Sequence, residues 1–207
     1  MDKYSVKIID NFLTPTYSDS LLNDAKNYLQ YYYIEQTTRP DSDDYCPEAV
    51  LKDKNTFDCG QLVCPLFNSK EPPGTLKFEK YFLFVKPLTF ALMDSFKELN
   101  LNSALRVKTN LLLKQEMFPE DHYNISHVDN IYEHKWSAVY YLNDSDGDTF
   151  LFNEFFSDPA PKELTLFKRI TPKKNRLVLF NSSRYHASSN PRNTAERFVI
   201  NIIMNTN

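Results

Sequence analysis

The hydrophobic period of the chain changes near residue 100, and that change constrains the fold more than any other feature. Before it, Leu21, Leu22, Ala25, Tyr28, Leu29 and Tyr32 recur at helical spacing, with Ser18 or Asp19 available as N-cap. Leu88, Ala91, Leu92, Ser95, Phe96 and Leu99 mark a second amphipathic helix. After it, Leu105, Val107, Thr109, Leu111 and Leu113 alternate with Arg106, Lys108 and Asn110, the period of a half-buried strand. Strand-like runs follow at 136–142, 149–152, 164–170, 176–180 and 198–204, with a polar turn at 143–148. A short strand at 6–9 precedes the first helix. Helices first, then a succession of short strands, predict a mainly β fold with packed helices. The expected core is a double-stranded β-helix, or jelly roll, over 103–205, supported by N-terminal α-helices within 1–100.

The last run sharpens this. Phe198, Ile200, Ile202 and Met204 make an apolar face suited to packing against the helices. The alternate residues Arg197, Val199, Asn201 and Ile203 then turn toward the interior of the roll. An arginine directed inward needs an anionic partner, because burial of an unpaired charge is costly.

Composition sets the outer bounds. At 207 residues, 42% of them hydrophobic and 25% charged, the chain fits one soluble globular domain spanning 1–207. A formal charge of −3 makes nucleic acid an improbable partner. No apolar run is long enough to span a membrane, and the first residues lack a basic segment followed by an apolar one. Three cysteines (Cys46, Cys59 and Cys64) at unremarkable spacing point to reduced thiols in a cytoplasmic protein. Zinc at Cys59 and Cys64 is the less favoured reading. The polar, Pro-punctuated segment 35–73 is long for a connection, and reads as a cover over a site or as elements without a clear period.

The chemistry resides in three residues. His127 and Asp129 form an H-x-D pair, and His186 follows at a distance in Arg184-Tyr185-His186-Ala187. On a strand, residues two apart share a face, so both side chains of the pair can reach one metal. Two imidazoles and one carboxylate are the ligand set of the facial triad that leaves one side of Fe(II) open.

Five parts occur in order. They are His127-Val128-Asp129-Asn130, Ala138-Val139-Tyr140-Tyr141-Leu142-Asn143, Gly147-Asp148-Thr149-Phe150, the apolar run Leu179-Phe180 leading to His186, and Arg197 eleven residues beyond it. In this order the C-terminal half resembles the Fe(II)- and 2-oxoglutarate-dependent dioxygenases, specifically their prolyl-4-hydroxylase-like branch. The resemblance implies His127, Asp129 and His186 as metal ligands and catalytic centre. It implies Fe(II), 2-oxoglutarate and O2 as cofactor and co-substrates, with oxidative decarboxylation coupled to hydroxylation of an unactivated C–H bond. It assigns Arg197 to the far carboxylate of 2-oxoglutarate, with Arg192 as runner-up and Tyr141 adding a phenolic hydrogen bond. A prolyl residue of a peptide or protein is the implied substrate, with a free amino acid or small metabolite as the alternative. The segment 35–73 becomes a possible lid.

The chain departs from the family's pattern at two places. Glu116-Met117-Phe118-Pro119 stands where many relatives carry a tyrosine, with Tyr123 nearer the motif, and the GGE turn is reduced to Asp146-Gly147-Asp148. His122, His134 and Trp136 are weaker candidates for the mouth of the site. Two other classes stay open: a cupin-like metal-binding protein without redox turnover, and a Zn(II) hydrolase with Glu133 as base. An inward Arg197 favours the oxygenase, because neither alternative needs it.

Overall fold

A computed structural model describes residues 2–36, 49–72 and 79–206. Strand β1 (Lys7–Ile9) leads into helix α1 (Pro15–Asn27), followed by β2 (Tyr32–Ile34), β3 (Val50–Leu51), β4 (Gln61–Asn68) and helix α2 (Phe82–Ser95). The strand succession continues with β5 (Leu101–Leu113), β6 (Ser126–His127), β7 (Trp136–Tyr141) and β8 (Thr149–Phe155). It closes with β9 (Leu166–Ile170), β10 (Arg176–Asn181), β11 (Arg184–Ser188) and β12 (Glu196–Thr206).

These strands form two antiparallel sheets, ordered β1-β10-β7-β12-β5-β4-β2 and β3-β6-β11-β8-β9. This is the jelly roll expected from the alternating runs, with helices packed on one side. Among the described residues no helix is long and apolar enough to cross a membrane.

The two faces of the larger sheet separate as the pleat requires. Phe198, Ile200, Ile202 and Met204 of β12 join Val107 and Leu111 of β5, and Ala138 and Tyr140 of β7, in one core. Leu21 and Ala25 of α1 and Val85, Leu88 and Leu92 of α2 cover it. Val139, Tyr141, Leu151, Val178, Phe180 and Val199 form a second cluster inside the roll. Every residue of β7 is buried because both faces of its sheet are covered.

Several expectations need correction. Helix α1 starts at Pro15 with Thr14 as N-cap, not at Ser18 or Asp19. Proline's fixed φ suits the first helical position, and it moves the start upstream. Ser18 is instead buried, in hydrogen bond with the Tyr140 hydroxyl at 2.9 Å. Tyr32 belongs to β2, as three consecutive tyrosines and an isoleucine favour a strand. Helix α2 begins at Phe82 and ends at Ser95, and Leu99 lies in a separate 3₁₀ turn closed by Asn100 at φ 50°.

The first hundred residues are also not helical support alone. They contribute β1, β2 and β4 to the larger sheet and β3 to the smaller. Strand β4 lies within the segment expected to be irregular. Its pattern is masked by Pro65, which sits where the β4–β5 register shifts. Residues 37–48 and 73 of the expected cover lie outside the described residues, as does Cys46.

Candidate active site

His127 and His186 face each other directly across the β6–β11 pair, with ring centroids 4.5 Å apart. Asp129 lies just past the end of β6, in a bend rather than on the strand, with its backbone N–H donating to the Ser182 carbonyl at 3.0 Å. The turn still delivers the carboxylate. Ligand atoms of His127, Asp129 and His186 all lie within 4.8 Å of one another, and His186 Nε2 is 3.5 Å from Asp129 Oδ2. Among the described residues this is the one group of His, Cys, Asp and Glu with metal-binding geometry.

The donor set fits a metal in detail. His127 Nδ1 lies 3.3 Å from the Ile125 carbonyl, and His186 Nδ1 lies 3.1 Å from the Arg184 carbonyl. A carbonyl only accepts, so in each ring Nδ1 carries the proton and Nε2 keeps its lone pair for a ligand bond. Burial pushes the His127 pKa down to about 3. Burial also lowers His186, against the pull of Asp129. Both imidazoles are therefore neutral, the state a metal requires.

Burial alone would raise the Asp129 carboxyl, but the permanently charged Arg106 guanidinium beside it works the other way and the group stays ionised. Arg106 Nη2 donates to Oδ1 at 2.7 Å, Ser137 Oγ donates to Oδ2 at 2.7 Å, and Asn201 Nδ2 donates to Oδ2 at 3.3 Å. Three strands of the larger sheet thus position one carboxylate.

Arg197 and Tyr141 meet deeper in the roll. Arg197 is 3% exposed, and its Nε and Nη2 donate to the Gly147 carbonyl at 2.7 Å and to Thr149 Oγ1 at 2.8 Å. The Tyr141 hydroxyl donates to the same Thr149 oxygen at 2.7 Å, and the Arg197 guanidinium lies 5.6 Å from the Tyr141 ring centre. No carboxylate pairs with Arg197 among the described hydrogen bonds and ion pairs, which leaves its charge available to an anion. Gly147 is required here, because a Cβ would fall 2.6 Å from the Ser189 carbonyl and 3.1 Å from Arg197 Cδ. Arg197 and Asn201 are four residues apart, about 13 Å along β12. Val139, Leu151 and Val199 belong to the apolar cluster between them.

The remaining candidates lie elsewhere. Arg192 stands at the rim, with Nη2 3.7 Å from Glu120. Tyr123 packs with Phe150 and Phe152 on the outer side of the smaller sheet and donates to Asp53, away from the triad. Trp136 is a core residue beneath the helices, and His134 is exposed beside Tyr132. Glu133 pairs with Lys3 at the surface at 2.5 Å. Cys64 is buried in the helix-side core, where burial pushes its thiol up to about 11.

The motif reading missed Arg106, Ser137 and Thr149 as members of the site. Arg106 and Ser137 do carry a signal, since each is a polar residue alternating with apolar ones on a strand. Their contacts with Asp129 depend on the register of β5, β12 and β7, which spacing alone does not reveal.

Residues 115–205 match the model of the 2OG-Fe(II) oxygenase superfamily. Fe(II), 2-oxoglutarate and O2 are the superfamily's cofactor set. No curated protein matches the sequence. Among solved structures, a prolyl-4-hydroxylase from Pseudomonas putida is similar at 16% identity and TM-score 0.51, over 99% of this chain and 94% of that one. A Trichoplax adhaerens prolyl hydroxylase, solved with a fragment of hypoxia inducible factor, gives 17% identity and 0.56 over 98% and 84%. The epimerase SnoN, solved with Fe3+, alpha ketoglutarate and nogalamycin RO, gives 8% and 0.63 over 99% and 80%. At these identities the likeness is one of fold.

Proposed function

We propose that this chain is an Fe(II)- and 2-oxoglutarate-dependent dioxygenase that hydroxylates an unactivated C–H bond. The observation that carries this reading is the convergence of His127, Asp129 and His186 within 4.8 Å, with both Nδ1 atoms tied to carbonyls. When bound there, Fe(II) supplies oxygen activation coupled to oxidative decarboxylation of 2-oxoglutarate. The protein does the rest. His127, Asp129 and His186 hold the metal, and Arg106, Ser137 and Asn201 fix the carboxylate that lowers its charge. Arg197 offers a buried, permanently charged fork to the far carboxylate of 2-oxoglutarate, with Tyr141 and Thr149 beside it. Val139, Leu151 and Val199 exclude water between the two anchor points.

Two substrate classes are open to this chemistry. Peptidyl proline is supported by the prolyl hydroxylases that share the fold. A free amino acid or small metabolite is supported by the cationic inner face of β5 described below. We assign residues 1–207 to one domain, supported by the pairing of β1 and β4 with core strands. Cysteine usage supports a cytoplasmic setting.

The test is an anaerobic optical titration of metal-free protein with Fe(II) and then 2-oxoglutarate. A weak visible charge-transfer band that needs both is the expected result. Tight metal binding without any band would return the site to the cupin-like or zinc readings.

A further inference from the structure

Strand β5 turns two cations toward the triad, and among the described residues only one has a hydrogen-bond or ion-pair partner. Val107 and Leu111 enter the core beneath the helices, so Arg106, Lys108 and Asn110 face inward. Arg106 is taken by Asp129 at 2.7 Å. Lys108 stands directly opposite Asn201, whose amide reaches Asp129, which places the two Cβ atoms about 5 Å apart on one face. No described residue forms a hydrogen bond or ion pair with Lys108. Burial and then the field of Arg106 push its pKa down to about 8, against the weaker pull of Asp129, which Arg106 already holds. Next to it, the Oδ1 atom of Asn110 is buried with no hydrogen-bond partner, while Nδ2 donates to Gln61 at 2.9 Å.

A charge count points the same way. With Fe(II) and dianionic 2-oxoglutarate in place, Asp129, Arg106 and Arg197 leave the interior singly positive before Lys108 is counted. An extra ammonium there is costly unless an anion arrives. Neither the metal nor the co-substrate needs it.

We propose that Lys108 is a specificity residue that binds the carboxylate of the substrate, and that the substrate is a free amino acid. The wall formed by Lys108 and Asn110 joins a cation to an unpartnered acceptor, and a free amino acid brings the matching carboxylate and N–H. This rests on the oxygenase reading and narrows it: peptidyl proline, whose carboxyl is spent in an amide bond, has nothing for Lys108.

The test uses the anaerobic Fe(II)–2-oxoglutarate complex of the full chain and reads the shift of its visible band. Each free L-amino acid, L-proline first, is titrated alongside its carboxamide. At least one free acid shifts the band and its amide does not. In Lys108→Met the response weakens by about tenfold or more, the loss expected for one charge-assisted hydrogen bond. Lys108→Arg restores part of it, and 2-oxoglutarate affinity is unchanged in both variants. Removing a buried cation that has no hydrogen-bond or ion-pair partner among the described residues keeps the fold intact, so Lys108→Met unfolds at the same or a higher temperature. The proposal is overturned if amides or prolyl peptides shift the band as well as the acids, or if no free amino acid does. It is overturned equally if Lys108→Met keeps the response, or if it loses 2-oxoglutarate, which would make Lys108 a clamp for the co-substrate. Absence of any band with Fe(II) and 2-oxoglutarate alone is read before an amino acid is added; it overturns the oxygenase assignment and this inference with it.

Discussion

Phe198, Ile200 and Ile202 alternate along β12 with Arg197, Val199 and Asn201, yet the two sets belong to different parts of the molecule. The first set packs beneath α1 and α2 with no charge among them. In the second, Asn201 holds Asp129 and Arg197 meets Thr149 and Tyr141. The same division runs through β5 and β7, where Val107 and Ala138 face the helices while Arg106 and Ser137 bind Asp129. One face gains stability from apolar area removed from water. The other carries buried polar groups and charges that are costly to fold, and in the proposed enzyme these serve a metal and its ligands. The two faces should therefore respond differently to the same kind of perturbation.

The largest expected effect is on the inner face. Asp129→Ala removes one of three ligands and leaves Arg106 without its carboxylate. Turnover should fall on the order of a thousandfold or more, with Fe(II) affinity lost in direct titration. An active Asp129→Ala enzyme would sink the metal assignment. On the outer face, Ile202→Ala should cost about 3 kcal/mol of stability by leaving a cavity under the helices. Below the unfolding transition its 2-oxoglutarate affinity should be unchanged. A weakened affinity in urea-free buffer would show that the two faces are coupled and break the comparison.

Arg197 tests the division from the other side. Arg197→Met should weaken 2-oxoglutarate binding by about 10- to 100-fold, the range for a lost charge-assisted contact, while the metal is retained. Stability should change less than in Ile202→Ala, because the charge removed was never paired with a carboxylate. If affinity stays the same, the clamp moves to another residue, and Arg192 at the rim is the first to examine.

The outer face was the legible one. The alternation in β5 and β12 announces a strand with one greasy side, and residues two apart share a face by geometry alone. His127, Asp129, His186 and Arg197 were also visible, because spacing and order mark them. Strands β4, β6 and β11 were not. Strand β6 is two residues long, β11 is buried on nearly every residue and shows no alternation, and β4 is broken by Pro65. The partners of Asp129 were hidden for a different reason. Arg106, Ser137 and Asn201 converge only once the register of three strands is fixed, and register depends on long-range pairing.

The smallest effect separates the faces by pH. His127 is held neutral in the fold, with its pKa pushed down to about 3 by burial, and His186 is lowered as well. Unfolded, both titrate near 6.5. Below that value the unfolded chain binds protons that the native site refuses, so stability of the metal-free protein falls as pH falls. For His127 alone the loss between pH 6.5 and 5.5 is about 1 kcal/mol, and His186 adds in the same direction. Asp129 contributes nothing in this window, because its held-down carboxyl matters only in the ordinary carboxylate range. Urea midpoints of chelator-treated protein at the two pH values measure the slope. Ile202→Ala should lower both midpoints and keep the slope, since no histidine lies among the buried residues of the helix-side core. His127→Gln should flatten it by about the contribution of one histidine. A slope unchanged in His127→Gln would mean that some other group carries the acid sensitivity, and that the inner face is less dry around its imidazoles than the neutral pair requires.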